Sequence, residues 1–210
     1  YDYVGLKTFI KQRNIMDFNL LFNVFPKKIY PFDYQTYFNS PERFIMVTSN
    51  CLTGEAVYLE EKQDEKRVLD ICVATCSLPL LCPIAYVDGI PMVDGGVCDA
   101  LPIRKSEADG NSRNVIVLTR NKGYRKPVKQ QKLPGFVFRK YPELRRELML
   151  RYQRYNETIE YIEQLEADGK ALVIRPIRDV VVDRIERDVD KLTSFYEEGY
   201  ACAKAAFEKK

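Results

Sequence analysis

The chain has 210 residues, 46% of them hydrophobic, with 33 Lys and Arg against 30 Asp and Glu. That is globular usage sufficient for one domain, or one domain with a helical extension, and it excludes wholesale disorder. The net charge of +3 lacks the basic excess of a dedicated nucleic-acid binder, and a chain without histidine cannot by itself build a Ser-His-Asp triad, a Cys-His pair or a His-containing zinc site.

The opening segment, Tyr1 to Asn14, spaces Val4, Leu6, Phe9 and Ile10 as a short helix does. Asp17 to Phe25 is aromatic-rich and runs into Pro26, and a further helical turn is expected over Phe32 to Phe38 between Pro31 and Pro41. Phe44 to Thr48 and Ala56 to Leu59 read as strands around the turn signal Leu52-Thr53-Gly54-Glu55, and so as a hairpin. Val68 to Ser77 has helical spacing and stops before Pro79. A second hairpin is expected from Ile84–Val87 and Ile90–Val93 about Asp88-Gly89, because both turn residues tolerate positive φ. Pro91 argues for an edge or irregular strand there.

Downstream, Pro102 opens a helix that Gly110 closes. Val115 to Leu118 is an unbroken apolar run, expected as a strand buried on both faces, and Ala171 to Ile174 is another. Between them Leu144, Leu148, Tyr152, Tyr155, Ile159, Ile162 and Leu165 form one amphipathic helical stripe that stops at Gly169. Strand, helix, strand is the grammar of a parallel pair with a crossover. A last helix from about Asp188 is expected to turn Val189, Leu192, Phe195, Tyr196 and Tyr200 inward. The fold class is therefore α/β, with helices on both faces of a sheet that is incomplete at its N-terminal end.

Six cysteines, none in a C-x-x-C pair, sit in apolar company and read as small buried hydrophobes in a reducing compartment. With no bilayer-length apolar run and no signal-peptide pattern, the expected location is cytoplasmic, or peripheral to the inner face of a membrane. The chain starts at Tyr1 instead of Met, which reads as a piece of something longer.

The sharpest local feature is Asp94-Gly95-Gly96. It is either an ordinary turn or a carboxylate placed at a strand end where open α/β sheets carry their sites. In the second case the carboxylate acts as general base to a serine or water, and burial would have to raise its pKa from an unperturbed value of about 3.9. Asp88, Asp94 and Asp99 match no metal-binding loop, so no metal and no cofactor is expected. Arg120 to Lys132 is basic without an acidic residue. It reads first as a solvated loop, then as a contact with anionic lipid worth about 1 kcal/mol per basic residue. Nucleic-acid binding comes third and is not expected. G-x-S-x-G, P-loop and G-x-G-x-x-G motifs are absent from these residues.

Taken in order, Ser49–Tyr58, Ala74-Thr75-Cys76-Ser77-Leu78-Pro79, Tyr86–Gly89, Val93–Pro102, Leu118–Lys126, Arg151–Thr158 and Val173–Pro176 resemble bacterial patatin-like phospholipases over essentially the whole chain. The resemblance implies a three-layer fold with a mostly parallel sheet flanked by helices. It implies a lipid acyl hydrolase that works on lipids or other esters through a Ser-Asp dyad. Only the aspartate carries over, onto Asp94, with Gly95 and Gly96 shaping its turn; the nucleophile and the glycine-rich oxyanion loop belong upstream, so these residues alone are expected to be inactive. Residues 1–120 then correspond to the C-terminal part of the catalytic domain, and residues 121–210 to a helical crossover, a buried strand and a C-terminal helix packed on it. Thr75 and Cys76 depart from the small residues and serine expected there. Phe18, Leu21, Phe22 and Phe25 either line an acyl pocket or pack in the core. The alternatives are a catalytically dead patatin-like scaffold and an independent ligand-binding α/β module.

Overall fold

The computed structural model describes residues 14–128, 133–179, 182–183 and 186–208. Most of the first expected helix, and residues 129–132 of the basic stretch, lie outside them. The chain divides into two compact units. One takes the chain through Ala100 and again the stretch ending at Arg154, and the other takes Leu101–Val128 and the chain from Tyr155 onward.

The first unit opens with α1 (Leu20–Ile29), wound as a π-helix with Pro26 inside it. Asp17 accepts the Leu20 amide at its start. A short α2 (Tyr34–Asn39) follows, capped by Asp33, whose side chain accepts the Thr36 N–H at 2.9 Å. Four strands then build an antiparallel sheet: β1 (Met46–Asn50), β2 (Ala56–Leu59), β3 (Ala85–Val87) and β4 (Ile90–Asp94), in the spatial order β2-β1-β4-β3. Both expected hairpins are present, and Asp88 and Gly89 take the positive φ values of 52° and 77° that their turn requires.

Helix α3 (Glu65–Thr75) interrupts the strands. Asp64 caps it by accepting the Lys66 and Arg67 amides. Its Ile71 and Ala74 pack with Met46, Val87 and Met92 on one face of the sheet. The opposite face, where Val93 points, buries Cys51 and Val97 against Tyr141, Leu144 and Leu148. The last two open the long helix α5 (Pro142–Ala167).

The second unit contains α4 (Ile103–Ala108), β5 (Asn114–Val117), the later turns of α5, β6 (Ala171–Ile174) and α6 (Val189–Glu208). β5 and β6 pair in parallel across α5. Ile103, Ile162 and Leu165 form the core of this unit, with Ile116, Ala171 and Val173 packed against it. Gly169, at φ 68°, turns the chain out of α5, and the Lys170 amide returns to the Leu165 carbonyl at 2.8 Å.

Four expectations are corrected. The sheet is not mostly parallel: among the described residues the four-stranded sheet is antiparallel throughout, and only β5 and β6 run parallel. Short links closed hairpins where a parallel sheet would need crossovers. β5 is not buried on both faces, since Val115 and Val117 are 55% and 68% exposed while Ile116 packs inward. β4 is an interior strand despite Pro91. The Pro91 carbonyl accepts from the Cys51 amide, so the missing N–H faces the same side, one residue beyond the end of β1, where the ladder needs no donor. Finally, α6 exposes Val189, Leu192, Tyr196 and Tyr200. Of the expected inward residues Phe195 does lie on the half-buried side, together with Glu198 and Cys202, and Glu198 accepts the Ile177 and Arg178 amides at 2.9 and 2.7 Å.

Candidate active site

Asp94 ends β4 and caps the 3-10 turn Gly95–Val97, and its carboxylate accepts the Gly96 N–H at 2.7 Å. Its own amide donates to the Ser77 carbonyl at 3.0 Å, in the stretch that follows α3. In the ladder it sits opposite Thr48 of β1. Alternation along β4 places Asp94 on the α3 side with Met92, half-buried at the sheet's end.

The two glycines do different work. A Cβ on Gly95 would lie 2.3 Å from the Val47 carbonyl oxygen, so the β1 backbone passes where a side chain would be. On Gly96 it would meet the Asp94 Oδ1 at 3.0 Å, crowding the carboxylate itself. Behind the turn the Gly95 carbonyl accepts the Cys98 and Asp99 amides at 3.1 and 2.9 Å.

Two thiols, Cys76 and Cys82, sense the Asp94 charge without the character of nucleophiles. Burial pushes Cys76 up to about 11, and the Asp94 charge adds to the rise. Burial likewise raises Cys82, with Asp94 a smaller contributor. A thiol raised in this way stays protonated and inert near neutrality.

The other two aspartates are held elsewhere. Asp88 forms a forked ion pair with Arg67, with Nη2 at 2.8 Å, and this guanidinium holds its carboxyl below the usual range. Asp99 accepts the Tyr58 hydroxyl at 2.6 Å. Among the described residues no three His, Cys, Asp or Glu side chains gather as metal ligands would.

A cavity of about 590 Å³ opens elsewhere in this unit, between α1, α2, residues 40–44 and α3. Leu21 and Phe22 line it with Phe32, Tyr37 and Leu69, and the Asp94 turn is not part of the described lining. Phe18 packs edge-on against Phe22 and Phe25 stacks on Tyr30, so the aromatic opening segment divides between cavity wall and ring packing.

The described part of the basic stretch up to Val128 makes contacts within the second unit. Arg125 pairs with Glu163 at 2.6 Å, Lys122 lies 4.0 Å from Glu166, and Lys126 stands over the Tyr155 ring. Among the described residues no helix is long and apolar enough to cross a membrane.

Against known families, the half of the chain that contains this turn finds a match. Residues 3–105 match the patatin-like phospholipases. That span contains the whole antiparallel sheet, α3 and the Asp94-Gly95-Gly96 turn. Residues 141–209 match a domain of unknown function, DUF6363, which covers α5, β6 and α6. No curated protein matches the chain.

Residue spacing did not point to Ser49. It lies inside an ordinary-looking strand, yet its side chain is wholly buried and reaches the Asp94 turn. Strand alternation alone marks it as inward on the Val93 face.

Proposed function

We propose that this chain supplies the general-base half of a Ser-Asp dyad in a lipid acyl hydrolase. Asp94 is the base, and Gly95 and Gly96 shape its turn. The observation that carries the reading is a strand-end carboxylate capped by the Gly96 amide, within the span that matches patatin-like phospholipases. The 210 residues hold no G-x-S-x-G, so the nucleophile and the oxyanion-stabilising amides come from residues upstream of them. Residues 1–120 belong to the catalytic part and residues 121–210 to a helical C-terminal part. Contact with a bacterial inner membrane through Arg120 to Lys132 is a weaker element, because Lys122 and Arg125 already face glutamates.

The reaction is acyl transfer to water. The serine Oγ attacks the ester carbonyl carbon while its proton passes to the Asp94 carboxylate. Backbone amides hold the oxyanion, and collapse expels the alcohol, which takes the proton from Asp94. Water then attacks the acyl-enzyme, giving its proton to Asp94, and the serine leaves with that proton as the fatty acid is released.

The test is hydrolysis of p-nitrophenyl esters of several chain lengths by the full-length protein, wild type beside Asp94→Asn at equal folded concentration. We expect kcat to fall by about a thousandfold with stability little changed. Equal activity in both would remove Asp94 from the chemistry. A wild type inactive on every ester would favour a dead-enzyme scaffold. The 210-residue chain alone should turn over none of them.

A further inference from the structure

We infer that Ser49 is the positioning residue for Asp94, an inference that rests on Asp94 being the general base. Ser49 lies on β1 opposite Val93 and is wholly buried. Its Oγ donates to the Asp94 carbonyl at 2.9 Å and accepts the Cys98 amide at 3.2 Å. The Gly95 carbonyl, at 3.5 Å, is a longer second acceptor. One hydroxyl therefore bridges both ends of the turn, the carbonyl before the two glycines and the amide after them.

A serine has one proton to donate and two lone pairs, and both functions are used here. The other buried serine, Ser77, spends its hydroxyl locally on the Val73 carbonyl at 2.8 Å, four residues back. Thr75 bonds the Val47 carbonyl at 2.6 Å, on the strand and not on the turn. Ser49 is thus the buried hydroxyl that reaches across the sheet to the backbone of Asp94.

The consequence is directional. Asp94 sits at φ −44° and ψ 128° with its carboxylate on the Gly96 amide. Pinning the Asp94 carbonyl fixes the peptide plane that leads into Gly95, and the Gly95 carbonyl that the same hydroxyl reaches at 3.5 Å lies in the next plane, which carries the Gly96 N–H. Without the hydroxyl the turn keeps the Cys98 and Asp99 amides on the Gly95 carbonyl but loses its side-chain tie to β1, and the Gly96 bond to the carboxylate loosens. Ser49 does not touch the carboxylate, so its effect on chemistry passes through the turn.

The test uses the full-length protein with p-nitrophenyl ester, comparing Ser49→Ala, Ser49→Thr and Asp94→Asn, with folded fraction followed by near-ultraviolet circular dichroism. We expect Ser49→Ala to lower kcat by about thirtyfold with KM within about twofold, and Ser49→Thr to recover most of it. The acid limb of the Ser49→Ala pH–rate profile should move to higher pH, since a carboxylate that loses a hydrogen bond to its charged form titrates higher. The Gly96 and Cys98 amides should also exchange faster with solvent. Should Ser49→Ala fail to fold, Ser49→Cys replaces it under the same criteria. Unchanged kcat and an unmoved acid limb in a folded Ser49 variant, with Asp94→Asn inactive, would overturn the positioning role and leave the base intact. Full activity in Asp94→Asn would instead overturn the base, and the inference with it.

Discussion

A methyl group added at position 95 would have to displace the β1 backbone at Val47, because the close neighbour there is a carbonyl oxygen and not the end of a flexible side chain. Gly95→Ala should therefore cost about 3 kcal/mol, the upper end of ordinary overpacking. Urea unfolding of the variant, with an unchanged slope and a lowered midpoint, would show it. A midpoint equal to wild type would mean that the turn is looser than its contacts state. At this scale the sequence was half informative. Asp94-Gly95-Gly96 was legible as a strand-end turn, because a carboxylate followed by two glycines states its backbone requirement locally, and its proposed chemical role came from its place among the other blocks. Ser49 was not, because nothing distinguishes a serine that bonds a distant turn from one that faces water until the chain is folded.

Among the elements, the β3–β4 hairpin and α3 are joined by Arg67, which also reaches Glu61 at 2.9 Å. The guanidinium holds the Asp88 carboxyl below the usual range, so the native state favours its ionised form more than the unfolded chain does. The stability this gives is fully present above the unfolded value of about 3.9 and is lost as pH falls through the depressed native value. Replacing Arg67 with leucine should flatten the fall of the urea midpoint below about pH 4. The same acid slope in both proteins would assign the loss to other carboxylates. The hairpin itself was readable in advance because Asp88-Gly89 states its backbone requirement locally. The interior place of β4 was not, since Pro91 is tolerated only by the accident of where β1 ends.

Taken as a whole, the chain reveals its element order in sequence far better than its sheet directions. The α5 stripe was plain, and Leu144, Leu148, Ile159, Ile162 and Leu165 are all buried. Strand direction depends on which segments meet, and the apolar run at Val115 to Leu118 looks the same whether one face or both are covered. α6 was misread for a related reason. Of its aromatic residues expected on the inner face, Phe195 lies there and Tyr196 and Tyr200 do not, and Glu198 takes two backbone amides on that face.

β5 has a consequence for handling the purified protein. Among the described residues it pairs with β6 alone, and Val115 and Val117 stand in solvent on an uncharged strand. An unpaired strand edge flanked by exposed apolar side chains is a template onto which another molecule can add a strand. Light scattering on storage should rise with protein concentration, and Val115→Lys with Val117→Lys should slow it by placing like charges wherever two such edges meet. If the doubly substituted protein clouds as fast as wild type, aggregation starts elsewhere. If it stays clear, the shelf life of the protein is governed by the four residues of β5 in the second unit.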